Sequence, residues 1–94
     1  IVYKKYIENP ENLNISSRVN GETRQNSNTK NLIFSAPYLI EELSKGMTII
    51  PGDIIATGTP AGVGMGFKPP KYLKSGDVVE CEIEKIGILK NIVE

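Results

Sequence analysis

Histidine and tryptophan are absent from this 94-residue chain, and cysteine occurs once. Without histidine the commonest general base and the commonest transition-metal ligand are missing, and no Ser-His or Cys-His nucleophile can be assembled. A single cysteine, Cys81, excludes an internal disulfide and suits a reducing compartment. Its place in Val78-Val79-Glu80-Cys81-Glu82-Ile83 reads as a small buried residue of a strand. Eleven basic and eleven acidic residues cancel, so no charge excess points to nucleic acid. No apolar run approaches the length of a membrane span, and no signal peptide is visible. The chain begins at Ile1 rather than Met, so an N-terminal portion is expected to be missing.

What is present is β patterning broken by glycine-rich turns. Ninety-four residues make at most one small domain, with a thin stability margin. Ile1 to Ile7 reads as a strand or a chain entering a loop, ended by the turn chemistry of Asn9-Pro10. Leu13, Ile15, Ser17 and Val19 alternate with Asn14, Ser16 and Arg18, a half-buried strand. Asn20-Gly21 predicts a type I′ hairpin turn, Glu22 to Gln25 the returning strand, and Asn26 to Asn31 a polar loop. Ser35-Ala36-Pro37 opens a short helix with Leu39, Ile40 and Leu43 on one face, and Gly46 is placed to stop it in the left-handed region. Thr48 to Ile50 and Ile54 to Thr57 read as short strands around a Pro51-Gly52-Asp53 turn, the second of them buried. Ser75-Gly76-Asp77 is a turn of the same kind, followed by strands over Val78 to Lys85 and Ile88 to Val93. The expected fold is a mostly antiparallel β domain with one short helix.

The run Pro51-Gly-Asp-Ile-Ile-Ala-Thr-Gly-Thr-Pro-Ala-Gly-Val-Gly64 carries the clearest functional signal. Gly52, Gly58, Gly62, Gly64 and nearby Gly66 allow positive φ and close approach to a ligand. Backbone N–H groups beside the hydroxyls of Thr57 and Thr59 would make a compact nest for a carboxylate or enolate. A tight structural turn explains the same composition. The order of a phosphate-binding P-loop is missing. Arg24 and Gln25 could reach a substrate carboxylate, though Arg24 reads better as part of a polar hairpin arm. Glu80, Glu82 and Glu84 share one strand face, which fits paired carboxylates for acid/base or metal work; a solvated face balanced by Lys85 and Lys90 fits better, because alternation alone creates the pattern. Asp53 and Asp77 read as turn caps.

The ordered blocks Val19-Asn-Gly-Glu-Thr-Arg-Gln25, Asn28-Thr29, Ile33-Phe34, Leu39-Ile40, Leu43-Ser44, Thr48 and Pro51 to Gly64 resemble the C-terminal part of the fumarylacetoacetate hydrolase family. Leu73, Gly76-Asp77, Glu80, Glu82, Ile86-Gly87, Leu89, Asn91 and Val93 extend the resemblance to nearly the whole chain, residues 1–94. It implies a mixed β-sandwich or roll with one short helix, a usually dimeric cytoplasmic enzyme, and dependence on Mg²⁺ (or Ca²⁺ or Mn²⁺). The substrates implied are small 2-oxo or β-diketo acids, which the family hydrolyses, decarboxylates or isomerises. The family's substrate-carboxylate role falls on Thr59, with Gly58 and Thr57 beside it and Gln25 at the rim. The Gly-x-x-x-Glu spacing from Gly76 points to Glu80 as the counterpart of a catalytic glutamate in the hydrolase branch. The family's metal carboxylates, substrate-binding lysine and catalytic histidine lie upstream of the segment that begins at Ile1. The expectation is therefore a C-terminal part of a larger enzyme, inactive alone. The competing reading is a β-rich binding or structural module that keeps the fold without the metal site. Apolar faces left by a missing half would in either case favour self-association.

Overall fold

Asn20 and Gly21 both adopt positive φ, 51° and 79°, and turn the chain back on itself at the start of a four-stranded sheet. The computed structural model describes residues 1–94. Strand β1 spans Asn14–Val19 and β2 Glu22–Asn28; helix α1 covers Ala36–Gly46; β3 spans Val78–Ile83 and β4 Gly87–Ile92. All pairs are antiparallel and the spatial order is β2-β1-β3-β4. The fold is thus mostly β with one helix, as the sequence predicts. Asn20 also fastens the hairpin to β3. Its side chain donates to Asp77 Oδ1 and accepts from the N–H of Val78, both at 2.8 Å.

The β1–β2 ladder carries one irregularity. Ser17 faces Gln25, but Arg18 faces Thr23, so Arg24 is the extra residue of a β-bulge. Bulges re-aim the side chains around them, and here the next residue is Gln25. Strand β2 runs through Asn28 rather than ending at Gln25, because Asn14 to Ser16 of β1 supply ladder partners that far. At its end Thr29 anchors the chain: its hydroxyl accepts from the N–H of Leu13 at 2.9 Å and donates to the carbonyl of Pro10 at 2.8 Å.

Helix α1 starts as expected, with Ser35 Oγ accepting from the N–H of Tyr38 at 3.3 Å. Its end differs. Gly46 stays within the helix, and Met47, in extended conformation, closes it by donating to the carbonyl of Leu43. Of the two readings of Ile1 to Ile7, a strand or a chain entering a loop, the strand is not formed, and Lys4–Tyr6 makes a single 3-10 turn. Two further expectations are corrected. Neither Thr48 to Ile50 nor Ile54 to Thr57 is in a strand, and Ile54 is 90% exposed rather than buried, because nothing in the segment offers either stretch a ladder partner. Cys81 is exposed rather than buried: it stands beside Leu89 of β4, itself 65% exposed, where that face is left uncovered. Strand β3 stops at Ile83, where Lys85 takes φ 61° to make the turn into β4.

Only Ile7, Leu13 and Val19 are buried, and every residue of β4 is exposed. The accessible surface is 7639 Å², against about 5,400 Å² expected for a folded monomer of this mass. The radius of gyration is 15.4 Å, against about 12 Å. Much apolar surface, including Ile88, Leu89 and Ile92, therefore stands uncovered.

Candidate carboxylate-binding site

A cleft of about 400 Å³ opens where the sheet meets the Gly/Thr loop. Thr57, Gly58, Thr59 and Pro60 form one wall. Ile15 of β1 and Ser27 and Asn28 of β2 form the floor. Thr29, Asn31, the Leu32 to Phe34 stretch and Leu39 of α1 close the other side. Phe34 is braced by stacking on Tyr38, with ring centroids 5.2 Å apart. None of the cleft's side chains is titratable. The wall can hold a ligand through hydroxyls, amides and backbone groups, but it carries no acid or base.

The loop is held from behind by Gln25. Its Nε2 donates to Thr59 Oγ1 at 2.7 Å and to the carbonyl of Pro60 at 2.8 Å. Its Oε1 accepts from the Ser17 hydroxyl at 2.9 Å. All three bonds are mutually consistent, because a carbonyl can only accept and so requires the –NH₂ side of the amide to face Pro60. Both Nε2 protons are used, and Gln25 does not itself line the cleft. The structure thus brings Thr57, Gly58, Thr59 and Gln25 together, with Gln25 behind the loop.

Glycine has two different uses here. Gly58 adopts φ 107° and turns the Thr57 and Thr59 side chains around a bare backbone. Gly62, at φ 111°, serves a different end: a Cβ there would collide with the carbonyl oxygen of Arg24, and one at Gly64 would meet the carbonyl of Lys71. The close approach is to the protein's own backbone rather than to a ligand, which corrects the sequence reading for these two positions. Gly64 and Gly66 do not adopt positive φ. The bulge that aims Gln25 is also the surface on which the loop rests.

Arg24 lies alongside this contact and away from the cleft. Its guanidinium carbon sits 5.4 Å from the centroid of Phe67, and Lys71 Nζ lies 4.9 Å from the same ring. Lys71 pairs with Glu22 at 2.6 Å, whose carboxyl is held below the usual carboxylate range by that bond. Arg24 approaches Glu22 only to 3.7 Å, and its Nε is buried with no hydrogen-bond partner. This cluster pins Phe67 and Lys71 to the hairpin.

Glu80 is not brought to the cleft. Register places it opposite Arg18 of β1 and Lys90 of β4, while Ser17 and Gln25 belong to the alternate face. Arg18 Nε lies 3.2 Å and Lys90 Nζ 3.3 Å from its carboxyl oxygens, and these bonds, Arg18 first, hold Glu80 below the ordinary carboxylate range. Glu82 takes the other side of Arg18 at 2.8 Å. Glu84 accepts from the N–H of Asn14 at 3.0 Å. No group of three or more His, Cys, Asp or Glu residues could hold a metal ion, so these residues do not by themselves make a metal centre. Asp53 and Asp77 cap their turns, accepting from the N–H groups of Ile50 at 2.9 Å and Lys74 at 2.8 Å.

Sequence reasoning passed over Ser17. The available signal was a hydroxyl on the face otherwise built from Leu13, Ile15 and Val19, where an apolar side chain is the rule.

The chain belongs to the fumarylacetoacetate hydrolase family: the pattern of its C-terminal part, "Fumarylacetoacetate (FAA) hydrolase C-terminal", matches residues 1–94. The oxaloacetate tautomerase YisK of Bacillus subtilis is 57% identical over 91 residues, covering 97% of this chain and 30% of YisK. The structure of a fumarylacetoacetate hydrolase from psychrophilic Exiguobacterium antarcticum superposes with TM-score 0.95 at 48% identity, over 100% of this chain and 34% of that one. A maleylpyruvate hydrolase from Sphingobium sp. SYK-6, solved in complex with manganese(II) and pyruvate, superposes with TM-score 0.88 at 36% identity, over 99% of this chain and 33% of that one. The chain therefore spans about a third of the length of the relatives it matches. These relatives are enzymes of one family. No helix of the chain is long and apolar enough to cross a membrane.

Proposed function

We propose that this segment is the substrate-carboxylate wall of an enzyme acting on small 2-oxo acids, with oxaloacetate keto–enol tautomerisation as the reaction. The observation that carries the reading is the state of the Thr59 hydroxyl. Its oxygen accepts from Gln25, so its own proton is free to be donated, and it stands on the wall of the cleft. A hydroxyl donor beside the unhindered backbone of Gly58 suits an anionic oxygen acceptor, and charge-assisted bonds to a carboxylate are the strong ones. The similarity to YisK, a tautomerase by name, favours oxaloacetate; the pyruvate bound to the maleylpyruvate hydrolase supports a short 2-oxo acid in general.

In this reading Thr59, Gly58 and Thr57 bind and orient the carboxylate. Gln25 holds Thr59, and the apolar side chains of Ile15, Leu32 and Phe34 restrict water. The proton moved in tautomerisation is handled outside the segment, since the cleft offers no titratable side chain. A divalent cation, Mg²⁺, Ca²⁺ or Mn²⁺, would likewise be held outside it. Glu80 serves the Arg18 ion-pair cluster rather than the chemistry. The surface excess over a folded monomer of this mass supports a larger or self-associated parent over a stand-alone binding module.

The test is Thr59→Val in the full-length protein. KM for oxaloacetate should rise about tenfold, the worth of one charge-assisted hydrogen bond, with a smaller change in kcat. An unchanged KM overturns the assignment.

A further inference from the structure

Ser17 lies in the middle of the central strand β1, between Gln25 of β2 and Cys81 of β3, and it does not line the cleft. We propose that Ser17 is a positioning residue for carboxylate binding: by donating its hydroxyl to Gln25 Oε1 it anchors the far end of the amide that the Pro60 carbonyl orients, and so holds the arrangement that keeps the Thr59 proton available to the ligand. The inference deepens the carboxylate reading of the Thr59 loop and rests on it.

The argument is one of donors and acceptors. A carboxamide has two orientations that differ by half a turn, similar in shape and opposite in polarity. In the observed orientation Nε2 serves Thr59 and Pro60, and Oε1 faces Ser17. In the other, Oε1 would face the Pro60 carbonyl, acceptor against acceptor. Thr59 would then have to donate to Oε1, and its proton would be lost to the ligand. Ser17 acts at the far end of the amide. Where its hydroxyl is present, Oε1 has a donor in the observed orientation. Where it is absent, Oε1 is left unpartnered in a half-buried position, and the amide that Pro60 orients is held at one end only. The effect reaches the ligand through Gln25 and Thr59 alone, so Ser17 touches nothing that reacts.

The bulge at Arg24 makes this chain possible. Only because the register shifts there does Gln25 stand directly opposite Ser17 and reach the loop with the same side chain. A hydroxyl at this point of the apolar face thus has a use that packing does not explain.

The experiment uses the full-length protein that contains this segment, with Mn²⁺ present. It measures pyruvate affinity by calorimetry and steady-state oxaloacetate tautomerisation. Ser17→Thr and Ser17→Val have the same shape and differ in the hydroxyl, so the pair gives the comparison even where Ser17→Ala folds poorly. Ser17→Val should weaken pyruvate binding and raise KM about three- to tenfold with kcat within about twofold, whereas Ser17→Thr should stay within about twofold of the parent. In a Thr59→Val background, Ser17→Val should have no further effect on pyruvate binding, because the pathway through Thr59 is already cut. Equal behaviour of the Val and Thr variants overturns the proposal, as does an undiminished Val effect in the Thr59→Val background. Thr59→Val that leaves pyruvate affinity unchanged overturns the carboxylate reading and the Ser17 proposal with it. Thr59→Val that weakens binding beside a silent Ser17→Val overturns the Ser17 proposal alone.

Discussion

Gly62 rests against the carbonyl of Arg24, so closely that a Cβ on Gly62 would collide with that oxygen. The contact joins the bulge of the β1–β2 hairpin to the loop that bears Thr59, and it is backbone against backbone, with no flexible side chain to yield. Gly62 also holds φ 111°, a region L side chains rarely adopt. Gly62→Ala should therefore cost stability by about 2 kcal/mol or more and displace the loop. Thermal unfolding and KM for oxaloacetate should both change in the full-length protein. Gly58→Ala separates the two causes: Gly58 has φ 107° with nothing within 4 Å of a Cβ, so strain acts there without collision. A Gly62→Ala variant no worse than Gly58→Ala would show the contact to be unimportant.

Gln25→Glu replaces the donor facing Pro60 with an acceptor. The carbonyl of Pro60 and the Thr59 oxygen then lose their shared donor, and a negative charge stands behind a loop that is to receive a carboxylate. Oxaloacetate KM should rise well over tenfold, more than for Gln25→Leu, which removes the bonds without adding charge. Equal effects of the two would argue against an anionic ligand at this wall.

Acid should weaken this part of the fold in a defined window. Glu80, Asp77 and Glu22 are all held below their ordinary pKa in the folded chain, by bonds from Arg18, Asn20 and Lys71 respectively. A depressed carboxylate contributes stability above its unfolded pKa and loses it as pH falls through the folded value. Stability should accordingly be flat near neutrality and fall below about pH 4, where ordinary carboxylates take up protons. Urea midpoints between pH 7 and 3 read this directly. Glu80→Gln should flatten part of the slope, and salt should shrink the effect because these groups remain partly open to solvent. A slope untouched by Glu80→Gln would show that its ion pairs contribute nothing.

The strands that form are those whose period and partners agree. The alternation of Ile15, Ser17 and Val19, the Asn20-Gly21 turn, the Ser35 cap and the Asp caps at positions 53 and 77 are local signals, and local physics decides them. Ile54 to Thr57 has the composition of a buried strand, but a strand also needs a neighbour, and none is offered within the segment. Cys81 shows the same limit, since period two marks a face without saying what covers it. For the site, Thr59 and Gln25 were visible as chemistry. Their contact was not, because it depends on a one-residue register shift at Arg24 that leaves no mark in composition. Gly62 carries the opposite lesson: its need for glycine is legible, its reason is not.

The isolated segment of residues 1–94 should be a poor protein. Its exposed Ile88, Leu89, Ile92, Ile33 and Ile50 should bind a hydrophobic dye and drive association at micromolar concentration. It should show no oxaloacetate turnover with Mg²⁺ or Mn²⁺. A monodisperse, dye-silent monomer by light scattering would contradict the first expectation, and metal-dependent turnover the second.

A cleft wall without ionisable groups has the same charge at every pH and in every reaction. On the carboxylate reading proposed above, recognition of the ligand is thereby separable from whatever happens to the bond beside it. A tautomerase and a hydrolase both match this chain over about a third of their length, at 57% and 36% identity, and a change of reaction need not alter the charge of the wall.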